Sequence, residues 1–239
     1  MLLGATAPGV RAEQVTVAVA SNFTMAMQRL GPDFERATSH RVTASFGATG
    51  KLYAQIKNGA PFEVLLAADD ETPARLEIEN SGIAATRFTY AIGRLVLWSP
   101  KPAVVDDQGE VLKGGTFVRL AIANPKTAPY GAAAEQVMRK LGVRNRLAAK
   151  LVYGENITQT FQFVHTGNAQ LGFVALAQVR ALPPAQAGSY WAVSDTLHDP
   201  LRQDAILLSD KPAARAFLDY LRSPRARAII EELGYSVSP

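Results

Sequence analysis

Four times along this chain of 239 residues a short apolar run stops at small or polar residues and passes into a segment of helical periodicity. Residues 15–22, VTVAVASN, lead into FTMAMQRL; VTASF at 42–46 leads into GATG; FVRLAIA at 117–123 leads into NPKTAPYG; and LVY at 151–153 leads into GENI. This alternation restricts the chain to α/β architectures, because a β-branched run buries both faces only where helices pack over it. Mostly parallel sheets are therefore expected.

Two apolar stretches fit no single strand of a compact unit. TRFTYAIGRLVLWS at 86–99 is too long and too β-rich for one, with Gly93 in its middle, and DAILL at 204–208 is a second candidate. Both read as crossings between two lobes. The expected division is lobe 1 over 13–91 with 203–239 and lobe 2 over 92–202, a cleft between them, and residues 1–12 outside the fold. Of that first segment, Val10, Arg11 and Ala12 put small or apolar residues where a signal peptidase reads, so it is taken as the remnant of a secretion signal, or a tail.

Within lobe 1, Phe23, Met27, Leu30 and Phe34 recur at helical spacing, and Pro32 inside that pattern predicts a kink or restart at Gly31. Asp69 or Asp70 caps a later helix. Farther along, Ala134, Val137, Met138 and Leu141 mark a helix closed by Gly142, and Phe217, Leu218 and Leu221 mark one of two closing helices.

In open α/β sheets ligands bind beyond the carboxyl ends of the strands, where loops enter helix N-termini. All four junctions fall there, and each carries a hydrogen-bond donor: the Ser21 hydroxyl and Asn22 amide, the Thr49 hydroxyl, the Tyr130 phenol and the N–H of Ile157. No arginine stands among them, and Lys51 and Lys126 lie beside the donors. Helix dipoles and neutral hydrogen bonds would then balance a bound anion. Such a site suits a fully ionised tetrahedral dianion such as molybdate, tungstate or sulfate, since an anion that keeps a proton needs an acceptor. Taken singly, each of these residues also reads as an ordinary N-cap, and Tyr130 as a surface phenol at a Pro-Tyr-Gly turn.

Other classes fit less well. The three histidines, His40, His165 and His198, have no metal-ligand spacing and no nucleophile elbow near them, and Asp106 and Asp107 read as loop acids, so no enzyme is expected. A net charge of +4 is spread over scattered Lys and Arg without an aromatic-basic motif, which argues against nucleic acid. Cysteine is absent, removing disulfides and thiolate metal sites, and no run approaches the roughly 18 apolar residues of a membrane span.

Longer motifs then become recognisable: VASNF at 19–23, FGATGKLYAQIKNGAPFEV at 46–64, RFTYAIGRLVLWSPKP at 87–102, AIANPKTAPYG at 121–131 and NAQLGFVALAQ at 168–178. Through them the chain, from Val15 onward, resembles the molybdate-binding proteins of ABC importers, which have the type II periplasmic binding protein fold. The resemblance implies a periplasmic monomer that takes molybdate or tungstate as ligand, has no cofactor, closes two lobes over the anion and docks on a membrane permease. It also implies Ser21, Asn22, Thr49, Tyr130 and the Ile157 backbone as the ligand contacts. Many relatives place a tyrosine where this chain has Ala175, which leaves Tyr130 or Asn22 to supply that contact. Sulfate is the alternative ligand.

Overall fold

The computed structural model describes residues 12–114 and 116–237. The expectation for residues 1–12 lies, apart from Ala12, outside the described residues. Among the described residues the strands are β1 (Gln14–Ala20), β2 (Arg41–Gly47), β3 (Val64–Leu66), β4 (Phe88–Gly93), β5 (Leu95–Ser99), β6 (Leu120–Ala123), β7 (Leu151–Gly154), β8 (Leu171–Ala175), β9 (Ser189–Ala192) and β10 (Leu201–Leu207). They form two five-stranded sheets, ordered β2-β1-β3-β10-β4 and β7-β6-β8-β5-β9.

The two sheets follow one plan. In the first, β1 pairs in parallel with β2 and β3, and β10 runs antiparallel to β3 and β4. In the second, β6 pairs in parallel with β7 and β8, and β5 runs antiparallel to β8 and β9. Half of the neighbouring pairs are thus parallel, fewer than strand–helix alternation alone suggests. The reason is that β10 and β5 each enter from the other sheet's side and reverse direction on arrival.

One crossing is the apolar run at 86–99, which splits at Arg94 into β4 of the first sheet and β5 of the second. The other is the segment 193–200 between β9 and β10, so residues 204–208 follow the crossing within the first sheet.

Helices Thr24–Thr38, Pro212–Arg222 and Pro224–Glu232 cover the first sheet through a core that includes Val17, Leu30, Phe34, Phe217 and Ile230. Phe34 meets Phe217 edge-on at 5.2 Å between centroids, and burying such a ring contributes about 2–3 kcal/mol. Of the kink or restart expected at Gly31-Pro32, the restart does not occur: one helix runs from Thr24 to Thr38 with Pro32 inside it. Phe34 and Asp33 lie beyond the proline and are both buried, Asp33 accepting from Tyr220 at 2.9 Å, and this packing offsets the roughly 3 kcal/mol a helical proline costs.

Candidate ligand-binding site

Each junction is built by a strand end that a helix N-terminus follows. β1 ends at Ala20, and a 3-10 turn, Ser21–Phe23, opens the helix Thr24–Thr38; β2 ends at Gly47 ahead of helix Thr49–Lys57. Across the cleft, β6 precedes helix Pro129–Lys140, where Pro129 supplies a first position that needs no N–H. β7 precedes helix Ile157–His165, whose N-cap Asn156 accepts from the Gln159 N–H at 3.0 Å. The first N–H groups of a helix have no partner inside it.

The four starts converge. Ser21, Asn22, Thr49, Tyr130 and Ile157 line one cavity of about 10 Å³ together with Ala20, Gly47, Ala48, Ala68, Ala128 and Pro129. All five are at least nine-tenths buried. No ionised side chain belongs to this lining, and its remaining members are small or apolar, which leaves room for one compact group.

The donors differ in how free they are. The Ser21 hydroxyl has no hydrogen-bond partner among the described residues. Thr49 Oγ1 accepts from the Ala68 N–H at 3.0 Å, which leaves its own proton to donate elsewhere. Asn22 is placed differently from the expectation, because its side-chain NH₂ points inward to Gln203 Oε1 at 2.9 Å and Tyr235 Oη at 3.3 Å. Asn22 still lines the cavity beside Tyr130. Tyr130 is no surface phenol: it is 1% exposed, and its oxygen accepts from Gln203 Nε2 at 3.2 Å. Burial, with Tyr235 nearby, holds its pKa well above the usual phenol value, so the hydroxyl keeps its proton.

Sequence reading missed the polar residues behind the donors. Gln203, 0% exposed on β10, is one; a glutamine beside a strongly apolar strand is the signal that could have found it. Gly93, noted in the sequence only as an interruption of the apolar run, makes room for them, since a Cβ there would collide with the Tyr130 hydroxyl and the Gln203 amide. Ala175 does not line the cavity.

The two sides of the cleft also touch directly. The Gly50 N–H donates to the Thr127 carbonyl at 2.9 Å, the Thr158 hydroxyl donates to the Ser21 carbonyl at 3.0 Å, and Lys51 pairs with Glu155 at 3.0 Å. Beside the cavity an open cleft of about 350 Å³ shares Ala68, Ala128 and Pro129 with it and carries Asp69, Asp70, Glu71 and Asp199. Burial raises the Asp69 carboxyl from 3.8 to about 6 even though it accepts from the Thr72 N–H at 2.8 Å.

The histidines serve local structure. His40 accepts from the Glu13 N–H, His198 Nδ1 donates to the Asp199 carbonyl, and His165 stacks on Phe161 at 5.5 Å. Among the described residues no group of three His, Cys, Asp or Glu is placed to hold a metal ion.

Two five-stranded sheets joined by two crossings, with helix N-termini facing one small cavity, define a two-lobed binding protein, and the chain belongs to the bacterial extracellular solute-binding protein family, which matches residues 15–236. It is 54% identical over 237 residues to the molybdate-binding protein ModA of Azotobacter vinelandii, covering 98% of this chain and 94% of that protein. With ModA of Rhodobacter capsulatus it shares 47% identity over 238 residues, covering 98% and 92%. The solved periplasmic molybdate-binding protein of Azotobacter vinelandii matches with a TM-score of 0.90 at 40% identity, covering 94% of this chain and 100% of that one. Proteins of this kind carry a solute without transforming it, so the chain is not an enzyme.

Proposed function

We propose that this protein captures molybdate or tungstate between its two sheets and delivers it to the permease of an ABC importer. The observation that carries this reading is the cavity lining: hydroxyl and N–H donors from four helix starts and no ionised side chain. In the proposal the oxyanion is a transported ligand and not a cofactor. It accepts from the Ser21, Thr49 and Tyr130 hydroxyls and from the Asn22 and Ile157 backbone N–H groups. Identity of 54% and 47% to two proteins named for molybdate supports the choice of ligand.

The lobes in this reading follow the expected division, residues 13–91 with 203–239 and residues 92–202, except that the strand ends Ile92–Gly93 and Leu201–Arg202 pair within the first sheet. An anion that touches both lobes binds the closed arrangement better than an open one and shifts the population toward it. The Gly50–Thr127 and Thr158–Ser21 bonds then form as closure completes, and the closed pair of lobes is what the permease recognises. The proposal includes a periplasmic location, a monomer, and no nucleic-acid partner, the last consistent with the scattered placement of 25 Lys and Arg.

A thermal-shift series with molybdate, tungstate, sulfate and phosphate tests the function. Ligand at a thousand times its dissociation constant adds about 4 kcal/mol, on the order of 10 °C for a chain of this size. Large shifts with molybdate and tungstate, a small one with sulfate and none with phosphate are expected. A shift with sulfate alone would replace the ligand, and no shift with any of the four would refute the oxyanion site.

A further inference from the structure

The polar groups behind Tyr130 form a chain in which each member dictates the direction of the next. Tyr235 Oη donates to the Asn22 carbonyl at 2.8 Å, so its oxygen can only accept from the Asn22 side chain at 3.3 Å. That turns the Asn22 NH₂ inward and aims its second N–H at Gln203 Oε1, 2.9 Å away. Gln203 Oε1 is thereby the accepting end of its amide, with the Tyr90 hydroxyl also 3.2 Å from it, and Nε2 is left to donate to Tyr130 Oη at 3.2 Å. The sequence of donors ends on a phenol that has received a hydrogen bond. Its own proton has no acceptor among the described residues and lies at the cavity.

We propose that Gln203 is a specificity-positioning residue: by donating to Tyr130 it commits that hydroxyl to donate into the cavity, so the site takes fully ionised oxyanions and rejects those that keep a proton. This rests on the reading of the cavity as an oxyanion site. Were the Gln203 amide absent, the phenol would keep only the weaker approach of the Asn22 amide and could rotate to accept from a ligand O–H. With the amide in place, a protonated oxygen would meet a second donor and find no partner. The arrangement crosses the cleft, since Gln203 stands on β10 of the first sheet and Tyr130 on the helix Pro129–Lys140 beside the second.

The test is calorimetric titration at pH 7 of the full chain and of Gln203→Met, Tyr130→Phe and the double variant, each with molybdate and with inorganic phosphate. In Gln203→Met the affinity for phosphate relative to molybdate is expected to rise by about tenfold or more, and in the Tyr130→Phe background the same change is expected to leave that ratio where it was. A smaller rise in the single variant, or equal loss for both anions, overturns the proposal. If Gln203→Met does not fold, Gln203→Glu keeps the side-chain shape and, when ionised, accepts a hydrogen bond from the Tyr130 hydroxyl instead of donating to it, and the same rise in ratio is required. Failure of the unaltered chain to bind molybdate would instead refute the oxyanion site, a result distinct from an unchanged ratio.

Discussion

The backbone N–H of Gly50 meets the Thr127 carbonyl at 2.9 Å, across the cleft and at the edge of the cavity. A Cβ on Gly50 would stand 3.2 Å from Thr127 Cα, so even a methyl group is tight there and a branched side chain does not fit without moving the Thr127 backbone. Gly50→Val is therefore expected to hold the lobes apart and to weaken anion binding by about tenfold or more, while ligand-free stability changes little. Titration calorimetry, with small-angle scattering for the radius of gyration, checks it. An unchanged radius contraction on adding molybdate would contradict the role given to this contact.

Thr49→Ala and Tyr130→Phe are each expected to cost about 1–3 kcal/mol in anion affinity, because an oxygen of the dianion loses its donor. The two differ in the empty protein. Thr49→Ala also strips the Ala68 N–H of its acceptor and should lower the melting temperature, whereas Thr49→Ser should restore both properties. Equal titration curves for the variants and the parent would remove these residues from the site.

Lys51 and Glu155 form an ion pair whose side chains are 49% and 66% exposed. Solvent screening at such exposure limits the pair to about 0–1 kcal/mol. Lys51→Met should therefore change affinity by no more than about fivefold, with the difference disappearing in high salt. A loss that persists in salt would place Lys51 nearer the anion than its position suggests.

Asp69 is a source of pH dependence. Its carboxyl is raised by burial from 3.8 to about 6, so between those values the folded chain holds a proton that the unfolded chain has released. Its contribution to stability falls as pH rises through that window, and the whole cost is present at neutral pH. Asp69→Asn keeps an oxygen for the Thr72 N–H and should stabilise the protein at pH 7 by up to about 3 kcal/mol, with no gain at pH 4. Urea unfolding at both values measures it; a gain at pH 4 as large as at pH 7 would assign the effect to something other than this carboxyl.

Much of the local structure was legible in the sequence because it depends on neighbours in the chain. Helical spacing at Ala134, Val137 and Met138 and the closing Gly142, with a φ of 68°, correspond to the helix Pro129–Lys140 and the turn after it. The strand–helix junctions were readable for the same reason, and with them the donors that stand at helix starts. The helix does not restart at Pro32, as local propensity allowed, because Phe34 and Asp33 are held by residues nearly 200 positions away.

By itself the sequence determined which residues are strand, which are helix and which donors stand where one passes into the other, since propensity and periodicity act over a few residues. Only the tertiary structure decided that the junctions share one cavity, that Asn22 turns its amide inward, and that Gln203, 181 residues away from Asn22, meets it and Tyr130. Those outcomes depend on how β5 and β10 enter the opposite sheets, and a buried polar group takes whatever partner that packing brings within reach, because leaving it unpaired costs more than any local preference.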